Sequence, residues 1–201
     1  MFMRIIRIIA PWVLFLFFAG SWADAQDAPP RLELFAEGGG SFLSKGTLGG
    51  ACSLGGCIFY PIGFSNGGRL FTGARFGVTR HDGIEASYSY SPNSFALAGQ
   101  SNRLDALSVD YVRYLRIRAR VQPFAAVGIG ANRLSGLANL GYPSNNGFHF
   151  TWNYGAGADI VLQGRLALRL ELRDYVGGQP GFLTGTSHNI VPSAGIVFRL
   201  K

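Results

Sequence analysis

The sequence predicts an all-β fold, an eight-stranded antiparallel up-and-down β-barrel that crosses a membrane. Three observations carry this reading. Apolar and polar residues alternate along most of the chain, the links between the alternating segments are by turns short and long, and the composition is rich in glycine yet poor in charge. Glycine supplies 29 of 201 residues, and charged residues only 14%, where roughly 7% and about 25% are usual. Mean hydropathy is +0.19, which excludes disorder, since that needs low hydrophobicity and high net charge. Glycine has no three-residue period, so collagen is excluded. Two Cys are too few for a disulfide-dense scaffold or a four-Cys zinc site.

The first 25 residues read as a secretory leader. Arg4 and Arg7 form a basic start, Ile8 to Gly20 an apolar stretch, and Ala23-Asp24-Ala25 a small-x-small cleavage site. The apolar run falls short of the ~20 residues that span a bilayer, and Pro11 interrupts it. The division expected is therefore a cleaved leader over 1–25 and a single barrel domain over 26–201. Cleavage removes Arg4, Arg7 and Asp24, so the net charge falls from +7 to +6. The remainder contains no apolar run long enough for a transmembrane helix.

The clearest strand is Arg165–Arg173, in which Leu166, Leu168, Leu170 and Leu172 alternate with Arg165, Ala167, Arg169, Glu171 and Arg173. A helix would scatter those leucines around its circumference, whereas a strand gathers them on one side. The same dyad predicts strands over 31–43, 68–79, 83–93, 102–114, 121–134, 148–162, 165–177 and 188–200. Links after the second, fourth and sixth strands are short, and the other links are long. A Greek-key sandwich would not alternate so strictly; bacterial outer-membrane barrels do.

Placing the more apolar face outward puts Phe150, Trp152, Tyr154 and Ile160 toward lipid, with His149, Thr151, Asn153 and Asp159 inside. Gly73, Gly77, Gly128, Gly130, Gly155, Gly157 and Gly195 then share the inward parity. An eight-stranded lumen is just wide enough for side chains to fill, so small residues are needed beside large ones. The inward charges are Glu33, Glu37, Glu85, Asp110, Asp159 and Glu171 with Arg75, Arg169, Arg173 and Arg199. Buried charges persist when paired, and Arg bridges carboxylates with its planar fork. An ion-pair network plugging the lumen is expected from these ten, with a gated ion path as the alternative. Phe35, Phe71 and Phe124 point inward, and Asp105 and Asp174 outward near the long loops, against the general pattern. Bulges or frayed strand ends could explain these exceptions.

The chain at this point resembles the outer-membrane β-barrel family of OmpA/OmpX-like and opacity-type proteins. The C-terminal segment Ser193-Ala-Gly-Ile-Val-Phe-Arg-Leu200 is similar to that family's assembly signal, with Gly195, Phe198 and Leu200 at the matching positions. Leu200 stands where the family has Phe, and Lys201 follows it. The resemblance implies insertion by the barrel-assembly machinery, an outer-membrane lipid environment, termini in the periplasm and a monomer. It also implies long loops outside the cell.

Chemistry is sparse. Cys52 and Cys57, in the longest loop, are expected to form a local disulfide after export, with a metal-ligand role the weaker reading because no His or carboxylate lies near. Lipid A hydrolases of this architecture need a His-x-Ser pair, but His81, His149 and His188 are each followed by other residues. His149 reads as a hydrogen-bonding lumen residue. Arg113, Arg116, Arg118 and Arg120 cluster at one short turn, where they meet lipid phosphates or solvent; no nucleic-acid-binding fold accompanies them. No catalytic residue, cofactor or metal site is expected. The function read from the sequence is structural or adhesive, exerted by surface loops. Two alternatives are a narrow channel for ions or small solutes and a lipid A-modifying hydrolase.

Overall fold

The computed structural model describes residues 31–44, 46–48, 52–53, 56–57, 60–62, 66–94, 101–115, 120–135, 147–178, 183–184 and 186–200. The expected leader, and Arg116 and Arg118 of the basic turn, lie outside these. Eight long strands form the wall: β1 Arg31–Leu43, β2 Gly67–Gly77, β3 Asp82–Ser94, β4 Ser101–Tyr114, β5 Val121–Ser135, β6 His149–Gln163, β7 Leu166–Gly178 and β8 Thr186–Leu200. Each pairs antiparallel with its chain neighbours, and β8 closes on β1 with Leu200 opposite Leu32 and Ser193 opposite Gly39. Full closure leaves no edge strand, the condition for a sheet to lie in lipid.

The observed bounds lie within two residues of those read from the sequence. Two bounds differ by two residues: β8 begins at Thr186 rather than at 188, and β2 ends at Gly77 rather than at 79. Val78 and Thr79 bend into the turn because both donate their N–H groups to Asp82 O, at 2.8 and 3.1 Å. The Thr79 hydroxyl in turn donates to Asp82 Oδ2 at 2.8 Å. Between β6 and β7 the link is only Gly164-Arg165, with Gly164 at φ +58°. That is the first turn position, where two-residue hairpins of type II′ place glycine.

Alternation sorts the wall as expected. Leu70, Ile84, Val109, Ile129, Phe150, Trp152 and Leu172 are exposed on the outer face, where lipid, not water, covers them. Phe35, Phe71 and Phe124 are buried in the lumen without a bulge in their strands. They belong to small apolar layers: Phe35 with Ala167 and Val197, Phe71 with Tyr175 and Val191, and Phe124 with Val112, Tyr114 and Ala126. The inward glycines make room for these rings. A Cβ at Gly73 would lie 2.5 Å from Phe35 Cζ, and one at Gly157 would lie 2.6 Å from Phe124 Cζ.

Asp105 and Asp174 also sit in unbroken register, not in bulges or frayed ends. Each is held by neighbours on the outer face, although Asp174 Oδ1 is buried without a hydrogen-bond partner among the described residues. Tyr88 Oη donates to Asp105 at 2.6 Å and Arg103 Nε at 2.9 Å; Tyr154 Oη donates to Asp174 at 3.0 Å, and His188 Nδ1 lies 2.7 Å away. Above the barrel, Gly46–Leu48 of the first long link pairs with Tyr60–Ile62 and with Leu183–Thr184 of the last. This short sheet, read from sequence only as loop, joins two links next to the β1–β8 seam. Cys52 stands directly opposite Cys57 across a second short hairpin. Opposed residues of antiparallel strands have Cα atoms about 4.5–5.5 Å apart, within the span a disulfide bridges.

Candidate functional site

The lumen holds the candidate site. Because side chains alternate across a strand, every second residue of all eight strands is delivered to one narrow space. The structure places all ten of the expected lumen charges there, and it links them into one array. Glu85 on β3 is its hub. Glu85 Oε2 accepts from Arg75 Nε at 2.9 Å and from Arg169 Nη1 at 3.2 Å, and Oε1 accepts from Arg173 Nη2. Arg169 on β7 also meets Asp159 with Nε at 2.8 Å and Nη2 at 3.1 Å. Its other neighbours are Glu33 at 3.6 Å and Glu37 at 3.8 Å. Arg173 reaches across to Asp110 Oδ2 at 2.7 Å and along its own strand to Glu171. Arg199, nearer the short-turn end, lies 3.1 Å from Glu33 and 3.5 Å from Asp159, and donates to Gln122 at 2.8 Å.

Uncharged groups complete the array; the sequence pattern put Asn153 inside but assigned none of these groups to the charge network. Tyr114 Oη accepts from Arg75 Nη1 at 2.6 Å and donates to Asp159 Oδ2 at 2.6 Å. Asn153 donates to Asp110 at 2.7 Å, and Ser108 to the other oxygen of the same carboxylate at 2.8 Å. Ser193 donates to Glu37 at 2.6 Å. Their signal was inward parity, which they share with the charges. The guanidinium planes of Arg75 and Arg169 also lie over the Phe124 ring, at 4.6 and 5.2 Å from its centroid, in position for cation–π attraction. Contacts run from every strand into the array, so it fills the cross-section. A cavity of about 10 Å³ beside Glu37, Glu171 and Tyr175 offers room for about one water, not a file of them.

One arginine escaped the sequence reading. Arg69 has the parity of Arg75 and is fully buried in the lumen on the long-loop side of the array. Among the described residues it raises the lumen arginines from four to five against six carboxylates, so the excess of acid there is one charge, not two. It packs against Phe71 and Tyr175, with ring centroids at 5.0 and 4.5 Å, and donates to Ser89 Oγ with Nε at 3.1 Å and Nη2 at 2.7 Å. Cation–π attraction is worth about 2 kcal/mol when desolvated, while a buried charge costs several kcal/mol. The rings alone therefore do not balance it.

The histidines are dispersed. His188 is on the outer face with Asp174, and His81 lies in the turn before β3. His149 Nε2 is buried with no hydrogen-bond partner among the described residues, in contrast to the hydrogen-bonding role expected for it. Among the described residues no group of His, Cys, Asp and Glu is arranged to hold a metal.

A closed barrel, apolar outside and charged inside, defines a membrane protein that spans with strands. A family model for the outer membrane protein beta-barrel domain matches residues 13–198, and the chain belongs to that family of bacterial outer-membrane proteins. Solved structures agree on the fold. Neisserial surface protein A aligns at 13% identity with a TM-score of 0.62, over 83% of this chain and 96% of that one. The outer membrane protein OprG from Pseudomonas aeruginosa aligns at 12% and 0.57, over 85% and 95%. Ail of Yersinia pestis, solved with the heparin analogue sucrose octasulfate, aligns at 13% and 0.51, over 85% and 100%. No curated protein sequence matches the chain.

Proposed function

We propose that this chain is a shut outer-membrane barrel whose role is structural or adhesive and is exerted through its long loops. The observation that supports this most is the array centred on Glu85 and Arg169, which draws side chains from all eight strands and leaves a cavity for about one water. A solute would have to break several buried charge pairs to pass. The reading places residues 1–25 as a cleaved leader, the termini in the periplasm and the barrel as a monomer. The β8 residues Gly195, Phe198 and Leu200 act as the signal for the assembly machinery, and Cys52 and Cys57 are bonded to each other. Catalysis has no part in it.

The loops are unusual in their chemistry. The segments 44–66, 95–100, 136–148 and 179–185 contain one charged residue, Lys45, amid many Leu, Phe, Tyr and Gly. Adhesion by such loops works through apolar contact and backbone hydrogen bonds. The sulfated ligand held by Ail would call for clustered basic residues, so the proposal here does not extend to polyanions at the loops. Planar-bilayer recording tests the central claim. The protein is expected to insert without discrete conductance steps; reproducible unitary currents would overturn the plug in favour of the channel.

A further inference from the structure

We infer that the lumen carries a binding site for a small inorganic anion at Arg69, on the long-loop side of the charged array. The other deeply buried arginines of the lumen all have a carboxylate within 3 Å: Arg75 has Glu85, Arg169 has Asp159 and Arg173 has Asp110. Arg69 has none among the described residues. Its Nε and Nη2 are spent on Ser89, and Nη1 is buried without a hydrogen-bond partner there. A second orphan donor neighbours Tyr175, the same tyrosine that Arg69 packs against. Asn189 Oδ1 accepts from Ser41 at 2.9 Å, but Asn189 Nδ2 is buried and, among the described residues, unpartnered. Both residues flank Tyr175, Arg69 over its ring and Asn189 as its partner across β7 and β8.

The chain has no carboxylate to spare for this place. From residue 31 onward it contains nine Asp and Glu. Six belong to the array. Asp82 is held by Thr79 and Arg113, Asp105 by Tyr88 and Arg103, and Asp174 by Tyr154 and His188. The segments 44–66, 95–100, 136–148 and 179–185 contain no Asp or Glu at all, and Asp24 and Asp27 precede β1 in the sequence. A buried cation with no counter-ion among the described residues, and a second unfilled donor at the same tyrosine, are complementary to an anion from outside. One free Nη1 and one amide offer point contacts rather than a two-pronged fork, which suits a halide or a single oxygen of an oxyanion. A lipid headgroup lies on the other side of the wall and does not reach an inward side chain.

The test uses the chain extracted from outer membranes into detergent, with its unfolding midpoint followed by heat-modifiable gel migration. Sodium chloride and sodium phosphate are compared with sodium gluconate, whose anion is too bulky for the site, at one ionic strength. The expected result is a saturable rise of about 5 °C over gluconate. It is lost in Arg69→Met, which removes the cation, and in Asn189→Asp, which supplies an internal carboxylate at unchanged volume. General stabilisation by phosphate acts on wild type and variants alike. If Arg69→Met does not fold, Asn189→Asp decides. Equal midpoints in all three salts, or a saturable rise that survives undiminished in the folded variants, overturns the site.

Discussion

Asp159 shows what a single side chain does in this lumen. Its two oxygens take two bonds from Arg169 and one from Tyr114, and stand 3.5 and 3.9 Å from Arg199 and Arg75. Replacing such a pair by apolar residues is often harmless, but removing one partner strands the other charge in a dry interior. Asp159→Ala is therefore expected to cost about 3 kcal/mol, read as a lower urea midpoint for unfolding in detergent. An unchanged midpoint would mean that Glu33, Glu37 and Glu85 hold Arg169 without it. At this scale parity in the sequence named ten of the lumen charges. It passed over Arg69, which shares the parity of Arg75 and is the third residue of β2.

Among the elements, β8 carries the most constraint, because it must pair on both sides to close the ring. Gly195 sits opposite both Glu37 on β1 and Arg169 on β7. A Cβ there would collide with Ala36 O and lie 2.5 Å from Glu37 Cα, which are backbone atoms that cannot swing away. Gly195→Ala is expected to destabilise by about 1–3 kcal/mol through overpacking. A methyl added at Gly68 on β2 would meet nothing within 4 Å among the described residues, so Gly68→Ala is expected to stay within about 0.5 kcal/mol. Urea titrations of the two variants in parallel check the contrast. Equal costs would show that loss of glycine in the strand, and not the seam, sets the effect. The strand bounds themselves were readable within two residues, since each strand alternates cleanly over ten or more positions. The short sheet joining the first and last links was not, because it pairs Leu48 with Leu183, residues far apart in sequence with no alternation around them.

For the molecule as a whole, the two ends of the barrel differ in chemistry. The loop segments hold only Lys45, while the short-turn end gathers Arg80, Arg113, Arg120 and Arg165. The proposed orientation puts that basic end toward the periplasm. A protease-sensitive tag inserted in segment 136–146 is expected to be cleaved on intact cells, and one after Lys201 only once the outer membrane is permeabilised. The opposite pattern would reverse the topology.

Sequence by itself determined the strand number, the face each residue takes and the presence of a charged lumen within an apolar wall. These follow from a two-residue period, and a one-residue slip would turn every side chain to the other face. It could not determine which acid meets which arginine, nor that Arg69 meets none among the described residues. Glu85 and Arg173 lie on strands opposite one another in the ring, and only closure brings them into contact across the lumen. Ring closure fixes the stagger of every strand at once, so the pairing of buried charges belongs to the tertiary structure.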